Sequence, residues 1–107
     1  MSAFQEREKG FEAKFAHDEE LKFKALARRD YHIGRWASEK LGLAGAAAES
    51  YARDVVACDL DKPDADSVFR KIRGDFDAKG IGQSDREIKQ VMDEFLAQAL
   101  AELKAGA

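Results

Sequence analysis

The sequence predicts an all-α protein, and three observations carry that prediction. Ala, Glu, Lys, Arg and Leu supply 55 of the 107 residues, and these are strong helix formers. The β-branched residues are four Val, four Ile and no Thr, which leaves little to build strands from. Charged residues make up 36% of the chain, the load of amphipathic helices with one wet face. The length suits one domain with one core that folds without staples. The expected architecture is a small four-helix bundle-like domain, residues 18–107, preceded by a mobile N-terminal arm, residues 1–17.

The arm lacks aliphatic residues but carries Phe4, Phe11 and Phe15. At ~100° per residue these three fall within about 40° of one helical face. Gly10 interrupts the pattern, and alone in water the segment is expected to be frayed or largely disordered. Asp18 reads as the cap of the first solid helix, with Glu19 and Glu20 in its first turn. That helix is expected to run to Leu41, with Phe23, Leu26, Ile33, Trp36 or Ala37, and Leu41 facing inward and Gly42 as the stop. A second helix over 46–60 presents Ala48, Tyr51, Ala52, Val55 and Cys58. Pro63 disfavours helix in the residue before it and closes that element. A third helix over 66–78 presents Val68, Phe69, Ile72 and Phe76, and a turn follows over 79–83. Ser84 with Glu87 forms a capping box for the fourth helix, which reaches Lys104 with Ile88, Val91, Met92, Phe95, Ala99 and Leu103 on one side. Trp36 and Phe95 are both expected to be buried.

Several function classes drop out. Lone Cys58 makes no internal disulfide, so a disulfide-framed scaffold is excluded. No apolar run approaches the ~18 residues of a membrane span, and nothing resembles a signal peptide. The net charge of −3 argues against a general nucleic-acid binder.

Chemistry is sparse. Asp75, Asp77 and Gly80 match positions of a calcium loop, but Lys79 and Arg86 stand where ligands are needed. An ordinary helix-turn-helix link is the better reading. Neither His17 nor His32 has a partner at metal-ligand spacing, so no metal is assigned. Cys58 lies on an apolar face far in sequence from any His and reads as a structural thiol. No catalytic residue, cofactor or phosphate loop emerges. Arg28 and Arg29, beside Arg35, are the candidate anion or secondary contact; the plainer reading is a solvated helix end balanced by Asp30 and Glu39. A helical module that binds a nucleotide or anion there is the alternative function. His17, next to Asp18, Glu19 and Glu20, is the candidate pH-sensing residue, against an exposed His that titrates without consequence. The Phe stripe of the arm has two readings of equal weight: a fifth core-packing segment, or a segment that folds into a partner's groove.

A resemblance bears on that choice. Phe4-Gln5-Glu6-Arg7-Glu8, followed by Phe11-Glu12-Ala13-Lys14-Phe15-Ala16-His17-Asp18-Glu19-Glu20-Leu21, resembles the opening of the zeta subunit, the small inhibitor of the F1F0 ATP synthase of alphaproteobacteria. The likeness continues through Phe23-Lys24-Ala25, Ala27-Arg28-Arg29, Trp36-Ala37 and Glu39-Lys40-Leu41-Gly42-Leu43, and it covers nearly the whole chain. It is weaker at Asp30-Tyr31-His32-Ile33 and in the loop around Pro63. The resemblance implies an inhibitor rather than an enzyme. It implies an arm that inserts as a helix at a catalytic α/β interface of F1, near the γ subunit, and blocks ATP hydrolysis. Phe4, Arg7, Glu8, Phe11, Glu12, Lys14 and Phe15 would then be the partner-binding residues. The implied partners are the α, β and γ subunits, with no cofactor. The implied location is cytoplasmic, peripheral to the inner membrane through F1, and the free chain is expected to be a monomer.

Overall fold

The computed structural model describes the backbone of residues 2–61 and 66–106 and the side chains of residues 19–61 and 66–105. It contains four helices and, among the described residues, no strand. These are α1 (Ser2–Lys40), α2 (Gly45–Asp61), α3 (Ser67–Lys79) and α4 (Asp85–Gly106).

Elements α2, α3 and α4 start and stop within about two residues of expectation, because their end signals are local. At the end of α1, Leu43 N–H donates to the Ser38 carbonyl at 2.9 Å and Gly42 N–H to that of Glu39 at 3.1 Å. Gly42 sits at φ 80°, the left-handed conformation this closure needs. The same pair of bonds closes α3. Ile81 N–H reaches the Phe76 carbonyl at 2.9 Å and Gly80 N–H that of Asp77 at 3.2 Å, with Gly80 at φ 69°. Ile81 then packs against the core cluster. At the start of α4 the Ser84 hydroxyl accepts the Glu87 N–H at 3.1 Å and donates to the Glu87 carboxylate at 3.1 Å.

The start of α1 differs from expectation. Asp18 does not begin a helix; it lies inside one that runs from Ser2. Helix formers such as Ala3, Glu6, Arg7, Ala13, Lys14 and Ala16 fill the upstream segment, and no Pro stops it. A residue suited to the N-cap is tolerated in an interior when nothing upstream breaks the helix. At ~1.5 Å per residue, 39 residues span about 58 Å. That nearly matches the 64 Å long axis of the molecule, whose other axes are 24 and 23 Å.

The core sits where α2, α3 and α4 meet the second half of α1. Ile33 and Ala37 of α1 cluster with Val55 of α2, Val68, Ile72 and Phe76 of α3, and Ile88 and Met92 of α4. Trp36, Tyr51, Phe69 and Phe95 pack against this cluster but are only partly buried. Trp36 and Phe95, which the periodicity predicts as buried, each lie at the rim, Trp36 against Phe76 and Phe95 against the His32 ring. Phe23 was expected to face inward and instead is 61% exposed. The first fully buried side chain of α1 among the described residues is Ala25, so Phe23 stands just ahead of the packed zone.

Helices α1 and α2 approach closely because small residues face each other. A Cβ built on Gly34 would lie 2.7 Å from the Ala52 Cα, and Ala37, Ala48 and Ala52 are all buried.

Candidate functional site: the two halves of the long helix

The functional question centres on α1, which divides at the edge of the core. Phe4, Arg7, Glu8, Phe11, Glu12, Lys14, Phe15 and His17 all belong to its first half. Their side chains lie outside the described residues. The helical backbone alone places Phe4, Phe11 and Phe15 in one register at ~100° per residue.

The second half is fixed to the domain by polar contacts on two sides. Toward α2, the Tyr31 hydroxyl donates to Glu49 Oε2 at 2.6 Å, and Arg35 lies 3.4 Å from the same oxygen. The hydrogen bond from Tyr31 lowers the Glu49 carboxyl below its ordinary range, and the Arg53 guanidinium assists. Toward α4, His32 Nε2 and Glu102 Oε1 are 3.0 Å apart. The His32 ring stacks on Phe95 with centroids 5.7 Å apart. That contact with His32, followed by the hydrogen bond from Gln98, lowers the Glu102 carboxyl. These partners are 18 and 70 residues apart in sequence, and no local pattern announces them.

The candidate anion contact at Arg28 and Arg29 is placed as follows. Arg29 donates from Nε and Nη2 to Asp30 Oδ1, at 3.0 and 2.8 Å. Arg28 is exposed, with Nη1 3.8 Å from Glu102. The two guanidinium groups therefore serve different neighbours rather than converging on one point. Asp30 is buried, 1% exposed. Its place beside the arginines predicts a solvated counter-charge, and the structure instead encloses it.

The remaining candidates are engaged in structural contacts. In the loop that resembles a calcium site, Asp75 accepts from the Tyr51 hydroxyl at 2.7 Å and from Lys71 at 3.2 Å. Asp77 pairs with Arg73 at 2.8 Å, and the same guanidinium reaches Asp85 at 3.0 Å. Burial and the hydrogen bond to Asp75 push the Tyr51 hydroxyl above its ordinary value, so it stays a neutral donor. Cys58 is half-buried, with its sulfur 4.0 Å from the Ser67 carbonyl. No group of three or more metal-ligating side chains occurs among the described residues. Nor, among them, is any helix long and apolar enough to cross a membrane.

Fold and site together define a small helical domain built on one long helix, whose second half is core and whose first half carries an aromatic register. The model of one protein family, ATPase inhibitor subunit zeta, matches residues 1–102, and the chain belongs to that family. A solved structure, a solution NMR structure, is 34% identical to this chain and superposes with a TM-score of 0.69. The match covers 81% of this chain and 99% of that one. No curated protein matches the chain. Family membership gives it the role of an inhibitor subunit of the ATP synthase.

Proposed function

We propose that the chain is a non-catalytic regulator that inhibits ATP hydrolysis by inserting residues 1–17, as a helix, at a catalytic α/β interface of F1 near the γ subunit. Phe4, Phe11 and Phe15 are the apolar anchors, and Arg7, Glu8, Glu12 and Lys14 supply the charge contacts. The four-helix domain stays outside as a stop, with Arg28 as a secondary contact. The protein would then lie on the cytoplasmic side, held to the membrane only through F1.

The observation that supports this most is the division of α1. The helix is continuous from Ser2 to Lys40, yet among the described residues its buried side chains begin at Ala25.

The test is inhibition of purified F1 by the full chain, by a chain lacking residues 1–17, and by the double variant Phe11→Ser with Phe15→Ser. The truncated chain should stay folded by circular dichroism and lose inhibition. The double variant should lose roughly 30- to 1000-fold in affinity, since burying two Phe contributes about 2–4 kcal/mol. A truncated chain that folds and still inhibits fully would move the inhibitory surface onto the domain.

A further inference from the structure

Asp30 is a buried acid for which inhibition through the arm has no use. It lies on the strip of α1 that faces α2, 1% exposed. Its two partners are Arg29 and Asp59, and polar groups of α3 and α4 lie next to them. From α1, Arg29 donates twice to Oδ1. From the last turn of α2, Asp59 brings a second carboxyl into hydrogen-bonding contact with it. From α3, the Ser67 hydroxyl donates to Asp59 Oδ1 at 3.3 Å. From α4, Glu102 reaches the adjoining stretch of α1, where His32 and Arg28 take it.

Two ionised carboxylates in contact repel each other, and burial disfavours the charge on Asp30. One guanidinium offsets part of this. A proton does more: it turns the repulsion into a hydrogen bond, one carboxyl donating and the other accepting. No buried side-chain nitrogen or oxygen among the described residues lacks a partner, so the site is built rather than accidental.

We propose that Asp30 and Asp59 form a proton-held clasp between α1 and the last turn of α2, closed while Asp30 keeps its proton and loosened when both carboxyls are ionised. The inference does not rest on where the arm binds. Burial first, then Asp59, raise the Asp30 carboxyl from its ordinary value to about 8, against the lowering effect of Arg29. An acid raised in the folded state binds its proton more tightly there than in the unfolded chain. Its contribution to stability is therefore full below the unfolded value of ~3.9 and falls as pH rises, until it is lost above about 8.

The test uses the full chain. The Asp30 carboxyl carbon is titrated by NMR in the wild type and in Asp59→Asn, and thermal and urea unfolding of the wild type and Asp30→Asn are compared at several pH values from 5 to 8.5. The wild-type midpoint should lie well above the ordinary carboxylate range and fall in Asp59→Asn. An amide at position 30 can still accept from Arg29 and donate to Asp59. Asp30→Asn should therefore come closest to the wild type at pH 5, the low end of the range, and exceed it most at pH 8.5. The ratio of the two folding constants should change by up to about tenfold per pH unit between. A wild-type midpoint near 4, or identical pH dependence of the two proteins, would overturn the clasp. The NMR titration decides the question even if Asp30→Asn does not fold.

Discussion

Replacing Gly34 by Ala tests the close approach of α1 and α2 directly. On an isolated helix the change is favourable by about 1 kcal/mol, because Gly is a poor helix former. In this protein the added Cβ would stand 2.7 Å from the Ala52 Cα, 3.1 Å from its Cβ and 3.3 Å from its carbonyl oxygen. Ordinary carbon contacts sit at about 3.5–4.0 Å. The nearest atom is backbone, so no side-chain rotation relieves the clash. The helices must separate by roughly 1 Å, and a gap of that size forfeits a quarter to a half of the dispersion energy across it. Ile33, Ala37 and Val55 flank the contact and are fully buried, so they share the loss. Overpacking of this kind costs about 1–3 kcal/mol. With the backbone as obstacle the upper part of that range applies. The net expectation is a loss of about 1–2 kcal/mol, equivalent to a fall in Tm of about 4–8 °C for each kcal/mol. Gly74 is the internal control. It lies in α3, exposed, with nothing within 4 Å of a built Cβ. Gly74→Ala should gain about 0.5–1 kcal/mol. Thermal melts and urea unfolding by circular dichroism measure both. Opposite signs from one chemical change are the signature of the contact; a Gly34→Ala protein that melts at or above the wild type would refute it.

Two further outcomes follow from the same geometry. Ser84→Ala removes the acceptor of the Glu87 N–H and should cost about 1 kcal/mol, with Ser84→Asp retaining most of the stability; urea midpoints check this. Phe76→Ala empties the centre of the core and should cost about 3–5 kcal/mol, whereas Trp36→Ala, at the rim, should fall below that range; equilibrium unfolding of the two variants gives the order.

What the sequence makes legible here is what short-range physics decides. The ends of α2, α3 and α4 follow from Gly80, Pro63 and the Ser84–Glu87 box, each acting within a few residues. The inward faces of α3 and α4 follow from periodicity: Val68, Ile72 and Phe76, then Ile88, Met92 and Ala99, are the buried apolar residues of those helices among the described ones. Asp18 misleads because a cap residue marks a helix start only when the upstream chain cannot continue the helix. Phe23 misleads because periodicity gives the side of a helix but not where along it the neighbours end. Asp30 is the clearest miss. A charged residue beside arginines reads as solvated, and its contact with Asp59 comes from 29 positions away on another helix. The same holds for the contact of His32 with Glu102. The arm is legible as an anomaly, three Phe without aliphatic company, and the family resemblance runs from it through nearly the whole chain.

The continuity of α1 gives its second half a consequence for the first. The contacts that fix α1 to the domain, Asp30 with Asp59, Tyr31 and Arg35 with Glu49, and His32 with Glu102, fall between residues 28 and 38. Upstream, among the described residues, Lys24 pairs within its own helix, with Glu20. Docking energy is thus concentrated in about three turns, and a continuous helix transmits any change of angle there along its length. Phe11 lies 14 residues before Ala25, about 21 Å along the axis at ~1.5 Å per residue. A tilt of about 10° at the domain edge would displace that position by about 4 Å over this rise, comparable to a side-chain diameter. For insertion into a groove, angle at the domain and fit at the arm are then one variable. Substitutions at Asp30, Gly34 or Glu102, none of them in the arm, should therefore change inhibition through the direction in which α1 leaves the core, in proportion to how far they tilt it rather than to how much they destabilise the fold.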